Sequence, residues 1–318
     1  MFKKIVVLLT LTGLLYVPSF AMKEPINYEL IKNFIDSNNA DSLRSYLAKY
    51  PDDLDTILNT KITPNEFYFT YGREEHFCQI PLHYAAATNK KEIVALLLEL
   101  APNKLELKDP YNQATPVWCA AFNDNLDIIR YLKSQRANLE AEDDTGYDPL
   151  LLTIARRFYR TFSYLLQQNV KLKYRDGFNI GNKITGDTSL MVFLAKPEDL
   201  FFKRQNNDDS YNFRMFYAIL KKHEENLQGI DTPNKNKRTP LMLAIKGNNK
   251  VYVSALLNRG ANINAKDIYS QDACNYANKY ADKDIKDLVC IKRKVSLNTS
   301  DIEKAENKIK GWLKNISF

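Results

Sequence analysis

A chain of 318 residues with 45% hydrophobic and 26% charged side chains has the composition of a folded protein, neither polar nor charged enough for disorder. Ten glycines are few for this length, which argues against glycine-rich phosphate loops and against an all-β fold with many tight turns. The net charge of +7 favours acidic partners slightly but is no concentrated basic stripe, so no nucleic-acid partner is expected.

Met1-Phe2-Lys3-Lys4 is a short basic start, Ile5 to Val17 is nearly all apolar, and Pro18-Ser19-Phe20-Ala21 adds a helix breaker and small residues. That three-part pattern is a secretory signal, predicting a leader over 1–21 cut between Ala21 and Met22. The apolar run is shorter than the roughly 20 residues a spanning helix needs. No later stretch is apolar enough, so the mature chain is expected to lack a transmembrane span and to be periplasmic or secreted. Export makes the cysteines a question, because disulfides persist outside the cytosol. Cys78, Cys119, Cys274 and Cys290 show no CxxC and no metal-like spacing. A bridge between Cys274 and Cys290 is open, with buried free thiols as the default expectation.

Residues 22–60 predict a helix pair over Tyr28 to Ser37 and Ala40 to Tyr50, with Leu43, Tyr46 and Leu47 on one stripe. Residues 61–78, rich in aromatics (Phe67, Tyr68, Phe69, Tyr71), predict a hairpin-like loop. Four similar windows follow. Ile80-Pro81-Leu82-His83-Tyr84-Ala85-Ala86 precedes Glu92 to Leu97, and Thr115-Pro116-Val117-Trp118-Cys119-Ala120-Ala121 precedes Asp127 to Leu132. Asp148-Pro149-Leu150-Leu151 precedes Phe162 to Leu166, and Thr239-Pro240-Leu241-Met242-Leu243-Ala244-Ile245 precedes Val251 to Leu257 and Gly260 to Asp267. Pro81, Pro116 and Pro149 are spaced by 35 and 33 residues. Proline suits the first turn of a helix, and a threonine or aspartate before it caps that helix. Small residues let helices approach, and Gly260 fits a helix end needing positive φ. Such a pair cannot bury its apolar face alone, so neighbours must stack on it.

These windows resemble the ankyrin repeat, with its period of roughly 33 residues and T-P-L-H-x-A core. The resemblance implies an all-α fold with short β-hairpin fingers, an α-solenoid of about six or seven helix-pair units over 79–289. The expected units are 79–109, 110–143, 144–176, 183–230, 234–266 and 267–289, with 22–60 as an N-terminal cap. The unit at 183–230 starts at Gly186 to Met191 without its proline. Its second helix is expected over Phe213 to Lys222, delayed by a polar insertion around Arg204 to Ser210. The last unit's second helix is expected over Lys283 to Val289. Residues 290–318 carry a basic cluster, Lys292-Arg293-Lys294, then an amphipathic helix from about 301 that closes the stack or touches a membrane surface or partner.

Chemistry is sparse. His83 sits where the family ties down its turn, but the usual threonine partner is Ile80, and Trp118 and Met242 replace histidine elsewhere, so looser turns are expected. His76 lies near Cys78 with no third orienting group, and Glu74-Glu75 and Asp143-Asp144 read as carboxylates on solvated turns. His223 stands alone. GxxxxGK[ST], HExxH and GxSxG are missing from the sequence, so no enzyme activity, cofactor or metal is expected.

The resemblance assigns binding to a concave face. Mapping the family's exposed positions gives His76, Phe77, Gln79 and Thr88; Tyr111, Gln113, Phe122 and Asn123; Asp144, Thr145, Tyr147 and Arg156; and Lys235, Asn236, Arg238 and Lys246. Of these, Tyr111, Phe122, Tyr147 and Arg156 have the side chains that usually anchor interfaces. The chain is similar to the secreted ankyrin proteins of intracellular bacteria, which implies a protein partner, a host protein among the candidates. A periplasmic structural or stress-related scaffold is the alternative, and a regulatory or enzymatic module in 170–230 a third.

Overall fold

The computed structural model describes residues 24–62, 69–70, 73–74, 78–172, 179–180, 183–184, 187–195, 209–225 and 230–297. The leader at 1–21, the tail helix from 301, His76, Phe77 and most of the 204–210 insertion lie outside the described residues.

Helix pairs follow one another along the chain. They are α1 (Tyr28–Asp36) with α2 (Ala40–Leu47), α4 (Pro81–Ala87) with α5 (Lys91–Leu100), α6 (Pro116–Phe122) with α7 (Leu126–Ser134), and α8 (Pro149–Arg156) with α9 (Tyr159–Gln167). Then come α10 (Ser189–Leu194) with α11 (Asp209–Glu225), α12 (Pro240–Lys246) with α13 (Lys250–Asn258), and α14 (Ala273–Tyr280) with α15 (Lys283–Leu297). First helices pack in a row, α1 on α4, α4 on α6, and onward through α8, α10 and α12 to α14. Second helices form a parallel row behind them, with α2 on α5, α5 on α7, α9 on α11 and α13 on α15. The expected solenoid is therefore present.

Stacking is close because the facing positions are small. Ala85 and Ala86 of α4 and Ala120 and Ala121 of α6 are fully buried. The threonine-proline and aspartate-proline starts work as caps. Thr115 accepts from the Trp118 N–H, Asp148 from Leu151, Thr188 from Met191 and Thr239 from Met242. Ile80 alone among these starts has no side-chain cap.

Several elements exceed the sequence reading. A short helix α3 (Leu54–Asn59) fills the space after α2. The expected hairpin within 61–78 pairs β1 (Phe69–Thr70) with β2 (Arg73–Glu74), and an unanticipated second pairs β3 (Asn179–Ile180) with β4 (Lys183–Ile184). Gly181-Asn182 between two isoleucine-bearing segments is the sequence signal for the second hairpin. Helix α11 is longer than Phe213 to Lys222 at both ends, and α15 runs through the basic cluster to Leu297 rather than stopping near Val289.

The expectation of free thiols is overturned. Cys78 is bonded to Cys119 and Cys274 to Cys290, and no cysteine is free. Cys78 sits at the base of the first hairpin, where Ile62 N–H donates to Gln79 O at 3.0 Å, so the bridge fastens that base to α6 of the next pair. The partners are 41 residues apart, which no local spacing rule reaches.

Candidate protein-binding surface

Four of the junctions between pairs are loops closed on themselves. Asp109 Oδ1 accepts from Tyr111 N–H at 2.9 Å, Asp143 Oδ1 from Thr145 at 2.9 Å and Tyr147 at 2.8 Å. Asn234 Oδ1 accepts from Asn236 and Arg238, each at 3.0 Å, and Asp267 Oδ1 from Tyr269 and Gln271, each at 2.9 Å. A side-chain oxygen that takes the loop's own N–H groups is an Asx turn, and it fixes the tip without a strand. Neighbouring tips are joined as well, Asp144 N–H to Asn112 O at 2.8 Å and Ile268 N–H to Asn236 O at 3.1 Å.

Asp143 is therefore not a solvated loop carboxylate. It is 8% exposed, and burial raises its pKa to about 6 against the hydrogen bonds from Thr145 and Tyr147. Asp148 is pushed to about 7, again first by burial. Both acids hold backbone, and their raised values record what burying a carboxylate costs.

His83 serves the next tip along. Its Nε2–H donates to Leu107 O at 2.9 Å and Ala114 O at 3.0 Å, a geometry that fixes the tautomer and leaves Nδ1 as an unprotonated acceptor with no hydrogen-bond partner. That is the atom the absent threonine at Ile80 would have met. Burial holds the ring's pKa down near 4, so it is neutral. Trp118 occupies the same place in the next pair and performs the same act, donating Nε1–H to Tyr147 O at 3.0 Å. Ala114 and Tyr147 each precede the cap of the following helix, so two different side chains tie down one repeated carbonyl.

The sequence-derived binding residues separate into two groups. Tyr111 is 51% exposed, with Lys61 Nζ 5.6 Å from its ring centre. Gln113, Asp144 and Lys235 are exposed, while Thr88, Asn123, Thr145, Asn236, Arg238 and Lys246 are partly so. Gln79, Phe122, Tyr147 and Arg156 are corrections, because all four are buried. Phe122 stacks on Trp118 with centroids 5.2 Å apart, and the Arg156 guanidinium lies over the Phe122 ring, 4.2 Å from its centre. Phe122 and Arg156, expected to meet a partner, instead meet each other. Missed from the sequence were Ile268 and Tyr269, which are 48% and 68% exposed on the last tip. Their signal was two large apolar residues directly after an Asx-turn aspartate.

No group of three or more histidine, cysteine or acidic side chains among the described residues could hold a metal. No described helix is long and apolar enough to cross a membrane.

Family models for ankyrin repeats match residues 82–176, in three copies, and 236–268, in one. A transient receptor potential cation channel, subfamily A member 1, of Drosophila melanogaster is 29% identical over 106 residues, covering 32% of this chain and 9% of that protein. A glycerophosphocholine phosphodiesterase, GDE1, of Candida albicans is 26% identical over 57% of this chain and 16% of its own length. The ankyrin repeat protein nuc-2 of Neurospora crassa is 24% identical over 67% and 18%. This chain thus spans less than a fifth of the length of these relatives. Among solved structures, a chain in the complex of the predatory endopeptidase Bd0816 of Bdellovibrio bacteriovorus with immunity protein Bd3460 superposes with a TM-score of 0.51 at 22% identity, covering 63% of this chain and 91% of that one.

Proposed function

We propose, from the premise that this chain is a solenoid of ankyrin repeats, that it is an exported, non-enzymatic scaffold binding a protein partner along its tips and concave face. The observation that carries the reading is the fate of the buried polar groups. Asp109, Asp143 and Asp267 close their own loops, Asp148 caps α8, and His83 and Trp118 reach backbone carbonyls of the next repeat. Groups so committed serve packing, and what remains outside is a long edge of ordered loops, the surface such stacks use for recognition. Ankyrin repeats as a class bind proteins, and the occurrence of this fold in a two-protein complex agrees with that.

Export is supported by the leader pattern and by the pairing of every cysteine, since disulfides persist in oxidising compartments. A periplasmic or secreted destination follows, with a host protein as one candidate partner. The test is cross-linking of the mature chain in its native cell, followed by fractionation. A protein cross-linked to the tips or concave face, in an exported fraction, is expected. A chain that remains cytosolic with reduced cysteines refutes export, and turnover of a small-molecule substrate by the purified chain refutes the scaffold reading.

A further inference from the structure

We infer that the tips of the last two described junctions, 234–238 and 266–271, form a docking site for an acidic segment of the partner that also carries an apolar side chain. This rests on the protein-binding reading above and gives it a place and a chemistry. The two tips are one surface, because Ile268 N–H donates to Asn236 O at 3.1 Å and each loop is closed by its own Asx turn. A surface held by main-chain bonds loses little freedom when a partner settles on it.

Its exposed charge is of one sign. Lys235, Lys237 and Lys266 are exposed, beside the half-buried Arg238. The acids facing them are engaged. Asp267 takes Tyr269 and Gln271 N–H and the Tyr276 hydroxyl, Asp231 takes Asn262 N–H, and Asp187 takes the Asn234 amide. Among these cations stand Ile268 and Tyr269, the latter the most exposed of the large apolar residues described. The tip at 140–144 is the opposite, with Glu140, Glu142 and Asp144 exposed. A cationic, apolar-centred tip fits carboxylates flanking one apolar side chain, with the charges setting encounter and the apolar pair setting residence. Three lysines around two apolar residues are too few for a phosphate backbone track or for lying on a bilayer, where the footprint must be longer.

The mature chain is titrated into a labelled acidic dodecapeptide with one central leucine, and in parallel into its lysine counterpart, phosphatidylglycerol vesicles and a DNA duplex. Binding of the acidic peptide alone is expected, falling with salt. The triple reversal K235E/K237E/K266E should weaken it at least tenfold and Y269A about fivefold. The reversal E140K/E142K/D144K should leave it unchanged, and matching thermal melts exclude unfolding. Equal peptide binding by the triple variant overturns the inference, as does preference for vesicles or duplex. Self-association lost in either triple variant overturns it in favour of a second copy. Should the cross-linked partner bind the K235E/K237E/K266E variant undiminished, this site falls while the scaffold reading stands. Peptide binding with no protein partner in the cell defeats the scaffold reading instead.

Discussion

Replacing Asp148 with threonine should leave stability almost unchanged at pH 4 and raise it at pH 8. Asp148 caps α8 through Leu151 N–H at 2.7 Å and is 1% exposed. Burial first, then the nearby carboxylates of Glu140 and Asp143, raises its pKa from 3.8 to about 7. Between those values the folded state keeps a proton that the unfolded chain has released. This contribution is whole below about pH 4, declines as pH climbs, and is lost above about pH 7. A gap of roughly three units amounts to at most about 4 kcal/mol by pH 8.

Threonine carries no charge to bury, and the fold already shows that it caps at this position. Thr115 and Thr239 hold the equivalent places in α6 and α12, with Oγ1 3.4 Å from the N–H three residues on. Thermal unfolding followed by circular dichroism from pH 4 to 8 measures the difference. The two melting curves should meet at the acid end and separate by roughly 10 °C at the alkaline end, D148T higher. Parallel pH profiles, or a lower melting point for D148T at pH 8, would refute the assignment of that cost to the buried carboxylate.

His83 works in the opposite direction. Its folded pKa near 4 lies below the unfolded 6.5, so stability is lost as pH falls through that window, by about 3 kcal/mol, and H83Q should flatten that limb in urea titrations. Removing a disulfide should cost about 4 kcal/mol for C119A and about 3 kcal/mol for C290A in chemical denaturation, from loops of 41 and 16 residues, and reductant, which opens both bridges, should bring wild type level with the double variant. The Trp118-to-Tyr147 bond predicts that W118F loses about 1 kcal/mol in chemical denaturation, the net worth of one hydrogen bond, since Tyr147 O keeps the Asp143 N–H as a donor. Arg136 ends α7 at φ 72° and is exposed, so R136G should gain about 0.5 kcal/mol by differential scanning fluorimetry.

The architecture was legible because its signals are local. Pro81, Pro116, Pro149 and Pro240 each begin a helix at the first position, and the alternation of small and branched residues announced which faces meet. The turn chemistry was harder to read. Asn38, Asn89, Asp124, Arg157 and Asn248 all adopt positive φ between the helices of a pair, where glycine would be expected. Asparagine and aspartate tolerate that conformation, which is how a chain of ten glycines makes so many sharp turns. The cysteine pairs and the reach of Trp118 depend on distances between neighbouring repeats, and no spacing within one repeat encodes them. The candidate site was the least legible, because a repeat position specifies a place on the backbone and not the size of the side chain that fills it. Phe122 and Arg156 stand one position apart in the repeat, at the ends of the successive first helices α6 and α8, and these two large groups fold onto each other.

That substitution changes where recognition can occur. A first-helix face lined by small or polar side chains leaves a groove open to a ligand, whereas here Phe122, Trp118 and Arg156 occupy the corresponding ground between α6 and α8. Opening it would mean separating a stacked ring pair and uncovering a guanidinium, an interaction worth about 2 kcal/mol when desolvated. The tips carry no such penalty. Their backbone is already satisfied by Asp109, Asp143, Asn234 and Asp267, and the side chains beyond those turns differ from repeat to repeat. Tyr111, the acidic trio at 140–144 and the cationic surface around Tyr269 are three distinct chemistries on one rigid edge. Under the scaffold reading proposed above, specificity resides in the order of the tips, because a partner that matches one of them must also be tolerated by the next.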